Sequence, residues 1–195
     1  MFKWAALILK SKSHLTKQGL QEIINLRASI NRGLTPTLQK AFPNSNPVQR
    51  PIIQLQECTG YWVAGFVSGD GGFGVSVGEK KVTSNRRSIG LNFYITQHIR
   101  DIQLMKTFKI FFNGGTFSYD RSTVTFRVHR FDTNYNTIIP FFTKYKIRGI
   151  KNLNFKNGVE IAELIKDKKH LTLEGYNKII NVRNKMNSFR LTKKV

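Results

Sequence analysis

Asp70 is the side chain best placed to do chemistry, and the residues before it say why. The stretch TGYWVAGFVSGDGGFGVSV (59–77) sets Gly65 and Gly69 four apart, with Ala64 and Ser68 beside them. On a helix this spacing leaves a bare stripe that another helix backbone can approach closely. Asp70 follows at the expected helix C-terminus, where a carboxylate faces the negative end of the dipole. An acid is thereby set beside a helix–helix seam, at the edge of the strand that begins next. Two other readings stand beside this one. The string 69–74 matches G-x-G-x-x-G, but a dinucleotide fingerprint needs a strand before and a helix after, and here the order is reversed. A plain Asp-Gly turn with a structural aspartate is the other.

A second set of side chains suits binding. Phe73, Val75 and Val77 alternate with small residues, and Ile89, Leu91, Phe93 and Ile95 alternate with Gly90, Asn92, Tyr94 and Thr96. This period of two gives each strand an inner and an outer face. Val75, Phe93, Val124, Phe126 and Val128 belong inside. Ser76, Asn92, Tyr94, Thr96, Thr123, Thr125, Arg127 and His129 form a face of hydrogen-bond donors and acceptors with few acids. The stretch GEKKVTSNRR (78–87) makes a basic hairpin tip carrying Lys80, Lys81, Arg86 and Arg87. Such a sheet can lie along a nucleic-acid groove and read base edges, although an ordinary solvated face has the same pattern.

Composition favours the first use. The chain has 195 residues, with 32 Lys and Arg against 11 Asp and Glu, a net charge of +21. The excess is spread along the chain, and a polyanion is the partner that would relieve its self-repulsion. Cys58 is the only cysteine, which excludes an internal disulfide or a Cys-based zinc site and fits a reducing compartment. The four histidines show no metal-ligand spacing, and no Ser/His/Asp or Cys/His grouping supplies a nucleophile. No apolar run approaches a membrane span, so no membrane partner is expected.

The elements that must position these residues follow from periodicity. Residues 1–31 read as helix, with Thr16 a plausible N-cap, and the start MFKWAALILK continues that helix. Pro36, Pro43, Pro47 and Pro51 then mark an extended linker. From residue 60 the order is helix, two strands, helix, two strands, helices, an α+β domain with an antiparallel sheet packed on one face. One phrase occurs twice. KSKSHLTKQGLQEIINLRASIN (10–31) and KDKKHLTLEGYNKIINVRNKMN (166–187) are identical at 11 of 22 positions, including His14/His170, Thr16/Thr172, Gly19/Gly175 and Asn31/Asn187. The paired histidines precede a helix and read as structural. The expected domains are a helical remnant of a first repeat (1–32), a Pro-rich linker (33–57), a motif-bearing domain (58–187) and a basic tail (188–195).

VAGFVSGDG (63–71) resembles the nine-letter signature of the LAGLIDADG homing endonucleases. The segments ITQHIRDIQLMKTFKIFF (95–112), IIPFFTKYKIRGIKNLNF (138–155) and 168–187 are similar to the second half of two-motif fungal and algal organellar members, and residues 10–51 to the end of their first half and linker. The resemblance covers nearly the whole chain. It implies an αββαββα half-saddle, with motif helices pairing at the centre and one acid from each binding divalent metal. By that correspondence Asp70 is a metal ligand, and hard oxygen ligands suit Mg²⁺. Gln97 and Lys151 stand near positions that hold polar and basic residues around the cleaved phosphate, as catalytic candidates. One motif is present where two acids are needed. The expectation is therefore a nucleic-acid-binding protein that cuts DNA only if Asp70 meets a second acid in trans, from a homodimer or a separately encoded first half. The alternative is a non-catalytic RNA-binding protein of an organellar ribosome or other ribonucleoprotein, or an intron maturase, whose particle would cover Gly65 and Gly69. Either reading places the protein in the mitochondrial or another organellar matrix.

Overall fold

The first copy of the repeated phrase folds as two helices joined by a tight turn. The computed structural model describes residues 2–49, 59–78 and 88–187. Helix α1 (Phe2–Lys10) is followed by a 3₁₀ turn (Ser13–Leu15) and helix α2 (Lys17–Ala28). The single helix expected over 1–31 is thereby corrected. Lys12 is left-handed (φ 58°) and Thr16 is extended, so its hydroxyl can accept from the Gly19 amide at 3.1 Å and start α2 anew. The proline-rich stretch is also less extended than expected. It holds a short helix, α3 (Pro36–Ala41), with Thr35 as N-cap and Pro36 in the first turn, where a missing N–H costs nothing. The Ser29 hydroxyl donates to the Val48 carbonyl at 2.9 Å, and the Asn46 amide donates to Asn25 Oδ1 at 2.9 Å. These bonds close a first unit, Met1–Ile52.

The second unit, Ile53–Val195, carries the sheet. Helix α4 (Gly60–Asp70) leads without a loop into strand β1 (Gly71–Val77), which pairs antiparallel with β2 (Ile89–His98). Helix α5 (Ile102–Phe111) returns the chain to β3 (Thr116–Asp120) and β4 (Thr123–Val128). The sheet order is β1-β2-β4-β3, antiparallel throughout. Helix α6 (Phe131–Thr133), a π-helical turn (Asn134–Ile138) and α7 (Ile139–Lys144) run on continuously. Then come α8 (Ile150–Lys166), a 3₁₀ turn (Lys169–Leu171) and α9 (Leu173–Arg183). Among the described residues no helix is long and apolar enough to cross a membrane.

The core lies on one face of the sheet. Phe93, Phe108, Phe112, Phe126 and Phe142 are fully buried and meet edge-on, stacked or tilted, with Phe93 and Phe142 centroids 5.4 Å apart. Each such burial contributes roughly 1.5–3 kcal/mol. A second cluster joins Leu91 to Ile161, Leu164, Ile179, Val182 and Met186, seating α8 and α9 beside it. Buried Asn134 closes the frayed end of the sheet: its amide donates to the Leu91 and Val128 carbonyls at 3.3 and 3.0 Å. That side chain sits on the π-helical turn, which gives this segment its irregular pitch.

Candidate nucleic-acid interface and acidic site

Three glycines in eleven residues make α4 a weak helix by propensity, each costing about 1 kcal/mol relative to alanine. Packing and capping offset this. Thr59 accepts from the Trp62 amide at 3.2 Å, and Val63, Ala64 and Val67 are buried on one side. The opposite side stays bare. A Cβ built on Gly65 or Gly69 would meet nothing within 4 Å among the described residues, and Tyr61 beside them is 74% exposed. At Gly71 the reverse holds, since a Cβ would lie 2.6 Å from Val67. That close approach lets the strand start directly after Asp70, which is left exposed at the junction.

Lys151 comes to the same place from 81 residues later. It lies in the first turn of α8, and its ammonium donates to the Gly69 carbonyl, one of the orphan acceptors at the end of α4. Partial burial pulls the Lys151 pKa below the ordinary lysine value, while the Asp70 carboxylate pulls it back up. The ammonium and the carboxylate therefore share one electrostatic site at the base of the motif helix. Gln97 is brought to the same end of the sheet: Gly71 pairs with Ile95, and Gln97 stands two residues beyond. Alternation puts it on the side of Phe93 and Ile95, half-buried, and not on the polar face. No group of three or more His, Cys, Asp or Glu assembles among the described residues. Asp70 could supply one hard oxygen ligand, and Mg²⁺ is commonly held by one or two carboxylates with phosphate and water completing the shell.

The polar face of the sheet assembles most of the expected binding residues. Ser76, Thr96, Arg127 and His129 are exposed, and Asn92 and Tyr94 are half-buried. His129 Nδ1, just past β4, and Asn92 Oδ1 of β2 lie 2.7 Å apart, and the Arg127 guanidinium lies 5.9 Å from the Tyr94 ring centroid. Thr125 departs from the pattern. It is 8% exposed, and its hydroxyl is paired with Thr96 at 2.9 Å, so it stiffens the face and presents little to a ligand. Lys80, Lys81, Arg86 and Arg87 lie outside the described residues.

Some members of this face were not foreseen. Register sets Thr116 opposite Arg127 and Ser118 opposite Thr125, which extends the polar surface onto β3. Arg183, at the end of α9, lines a hollow of about 190 Å³ with Tyr94, Arg127 and Ser76. The alternation of Thr116 and Ser118 with Phe117 and Tyr119 was a signal for the first two. Nothing local marks Arg183, which reads as an ordinary helix-end cation.

Known proteins share this fold. The family model for LAGLIDADG endonuclease matches residues 63–162. A probable intron-encoded endonuclease 3 of Neurospora crassa is 37% identical over 183 residues, covering 92% of this chain and 34% of the relative. The crystal structure of the I-SmaMI LAGLIDADG homing endonuclease bound to cleaved DNA superposes with a TM-score of 0.84 at 38% identity, covering 97% of this chain and 64% of that one. The same enzyme bound to uncleaved DNA target in the presence of calcium ions gives 0.83 at 38% identity, covering 95% and 64%. The chain therefore spans about a third of the curated relative and less than two thirds of the solved enzyme. With a glycine-striped helix ending in an exposed acid, a lysine tied to its last turn and a polar sheet face beside them, the chain belongs to the LAGLIDADG homing endonuclease family.

Proposed function

We propose that this chain is the one-acid half of a DNA endonuclease, active when a second motif helix covers Gly65 and Gly69 and brings a second carboxylate to Asp70. The observation that carries this is the bare side of α4: it is open along Gly65 and Gly69 and ends at an exposed carboxylate. The occupant is a second copy or a separately encoded first half. The polar face, with Asn92, Tyr94, Thr96, Arg127 and His129, lies along a DNA groove, and the charges of Lys80, Lys81, Arg86 and Arg87 suit phosphates.

Asp70 supplies hard oxygen to a divalent cation, with Mg²⁺ the expected ion. When bound, the ion would activate water and stabilise the leaving oxygen. Lys151, held near Asp70, offers positive charge to a phosphate that gains negative charge as its bond breaks. Gln97 approaches from the core side of the same corner and orients groups around that phosphate. The setting proposed for this activity is organellar, mitochondrial, as the resemblance to organellar members implies.

The test is Mg²⁺-dependent cleavage of a long DNA site by the assembled protein. Asp70→Asn should reduce it by at least about a thousandfold, the scale of losing a group that acts in the transition state. Undiminished cleavage by that variant would sink the proposal. The net charge of +21 with a single motif also supports a second reading, a non-cutting binder of structured RNA in a ribonucleoprotein or as a maturase. Co-purification of one stable RNA, with binding untouched by Asp70→Asn, would favour that reading.

A further inference from the structure

The connection from α7 to α8 grips the motif helix at both ends. At the start of α4, a Cβ on Gly60 would lie 2.4 Å from the Tyr145 ring, and Tyr61 meets the same ring edge-on at 5.2 Å. Near its end, Ser68 Oγ donates to the Ala64 carbonyl at 2.6 Å and accepts the Arg148 amide at 3.0 Å. Between these points Ile147 is buried, 1% exposed, and fixes the depth of the loop. Gly149 then turns the chain into α8 with φ 68° and ψ −157°, a conformation essentially confined to glycine. Space is not the reason for a glycine there, since a Cβ would meet nothing within 4 Å. Two residues on, the Lys151 ammonium reaches the Gly69 carbonyl.

We propose that Ser68 and Gly149 are positioning residues that set Lys151 at the base of the motif helix: Ser68 holds the loop through the Arg148 amide, and Gly149 aims the first turn of α8. Neither touches the reacting groups. They act by fixing where the Lys151 charge stands relative to Asp70, which is what a charge-stabilising group needs. The functional consequence rests on the reading of Lys151 given above, while the positioning itself does not.

The test uses the full chain with ¹⁵N-labelled lysine side chains and follows the Lys151 ammonium resonance, assigned by its loss in Lys151→Ala. Ser68→Ala should move that resonance to the position of solvated lysines and speed its proton exchange roughly tenfold, the equivalent of one net hydrogen bond. Ser68→Thr, which keeps the hydroxyl, should retain it. Gly149→Ala should act like Ser68→Ala, and the remaining amide spectrum reports whether each variant is folded. An unchanged Lys151 resonance in folded Ser68→Ala overturns the proposal, whatever Gly149→Ala does. If the resonance moves as expected but Lys151→Ala cuts DNA as fast as the parent, the positioning stands and the role given to Lys151 fails.

Discussion

The two copies of the repeated phrase adopt the same local geometry and then dock differently. Lys12 and Lys168 are both left-handed, with φ 58° and 57°, and Asn31 and Asn187 follow suit at 52° and 50°. Thr16 and Thr172 both accept from the glycine amide three residues on, at 3.1 Å. A Cβ on Gly19 or Gly175 would strike the 3₁₀ turn at 2.1 or 2.0 Å. The phrase thus encodes a helix–turn–helix corner. What the corner packs on is not in the phrase. In the second copy Ile179 and Val182 are buried in the cluster around Leu91. Asn187 exchanges hydrogen bonds with Asn154 and donates to the Phe73 carbonyl of β1 at 3.0 Å. In the first copy burial passes to the neighbouring Ile24, while Ile23, the counterpart of Ile179, is only half-buried. That corner closes on its own proline-rich connection through Ser29 and Asn25. The candidate site therefore lies in the unit in which the corner has a sheet.

This contrast can be broken by paired substitutions, with Trp4→Phe as background so that Trp62 alone reports unfolding of the second unit. Ile179→Ala should cost that unit about 2–5 kcal/mol in a denaturant midpoint shift, because it opens a cavity in a sealed core. Ile23→Ala should leave the Trp62 transition where it was. Asn187→Ala should cost roughly 1–3 kcal/mol, since the buried Asn154 amide and the Phe73 carbonyl lose their partner, while Asn31→Ala leaves the Trp62 transition unmoved. Thr172→Ala should cost about 1 kcal/mol as a lost N-cap. Equal costs from both members of any pair would contradict the separation drawn here.

A pH effect bears on the second unit alone, because Lys151 stands there at the base of the motif helix. Burial lowers the Lys151 pKa, so its charge is lost at a lower pH than that of a solvated lysine. If the charge assists cleavage, the rate falls as pH rises through that lowered value, and Lys151→Arg, charged throughout, removes the fall. A rate that climbs over that range would mean that the neutral amine is the working form.

Much of this was readable from the sequence, for reasons that are local. Alternation in 71–77 and 89–98 revealed two strands and their faces, and Gly65, Gly69 and Asp70 revealed the helix and its bare side. Thr16 carried the information that a helix starts there, yet helical residues on both sides, Phe2–Lys10 and Lys17–Ala28, masked the corner at Lys12. Proline density hid α3, although Thr35 and Pro36 are an ordinary helix start. Thr125 alternates like a surface residue, but its hydroxyl is spent on Thr96 across the strand pair. The contacts of Lys151 with Gly69 and of the Arg148 amide with Ser68 join residues about eighty apart, and no local period announces them.

The central claim is that the bare side of α4 is where a second motif helix sits. Gly65→Leu tests it most directly, since a Cβ there meets nothing within 4 Å among the described residues and leucine is the better helix former. The account predicts a thermal midpoint for the isolated chain that is unchanged or raised, together with loss of Mg²⁺-dependent DNA cleavage by the assembled protein. Full cleavage by Gly65→Leu would contradict it.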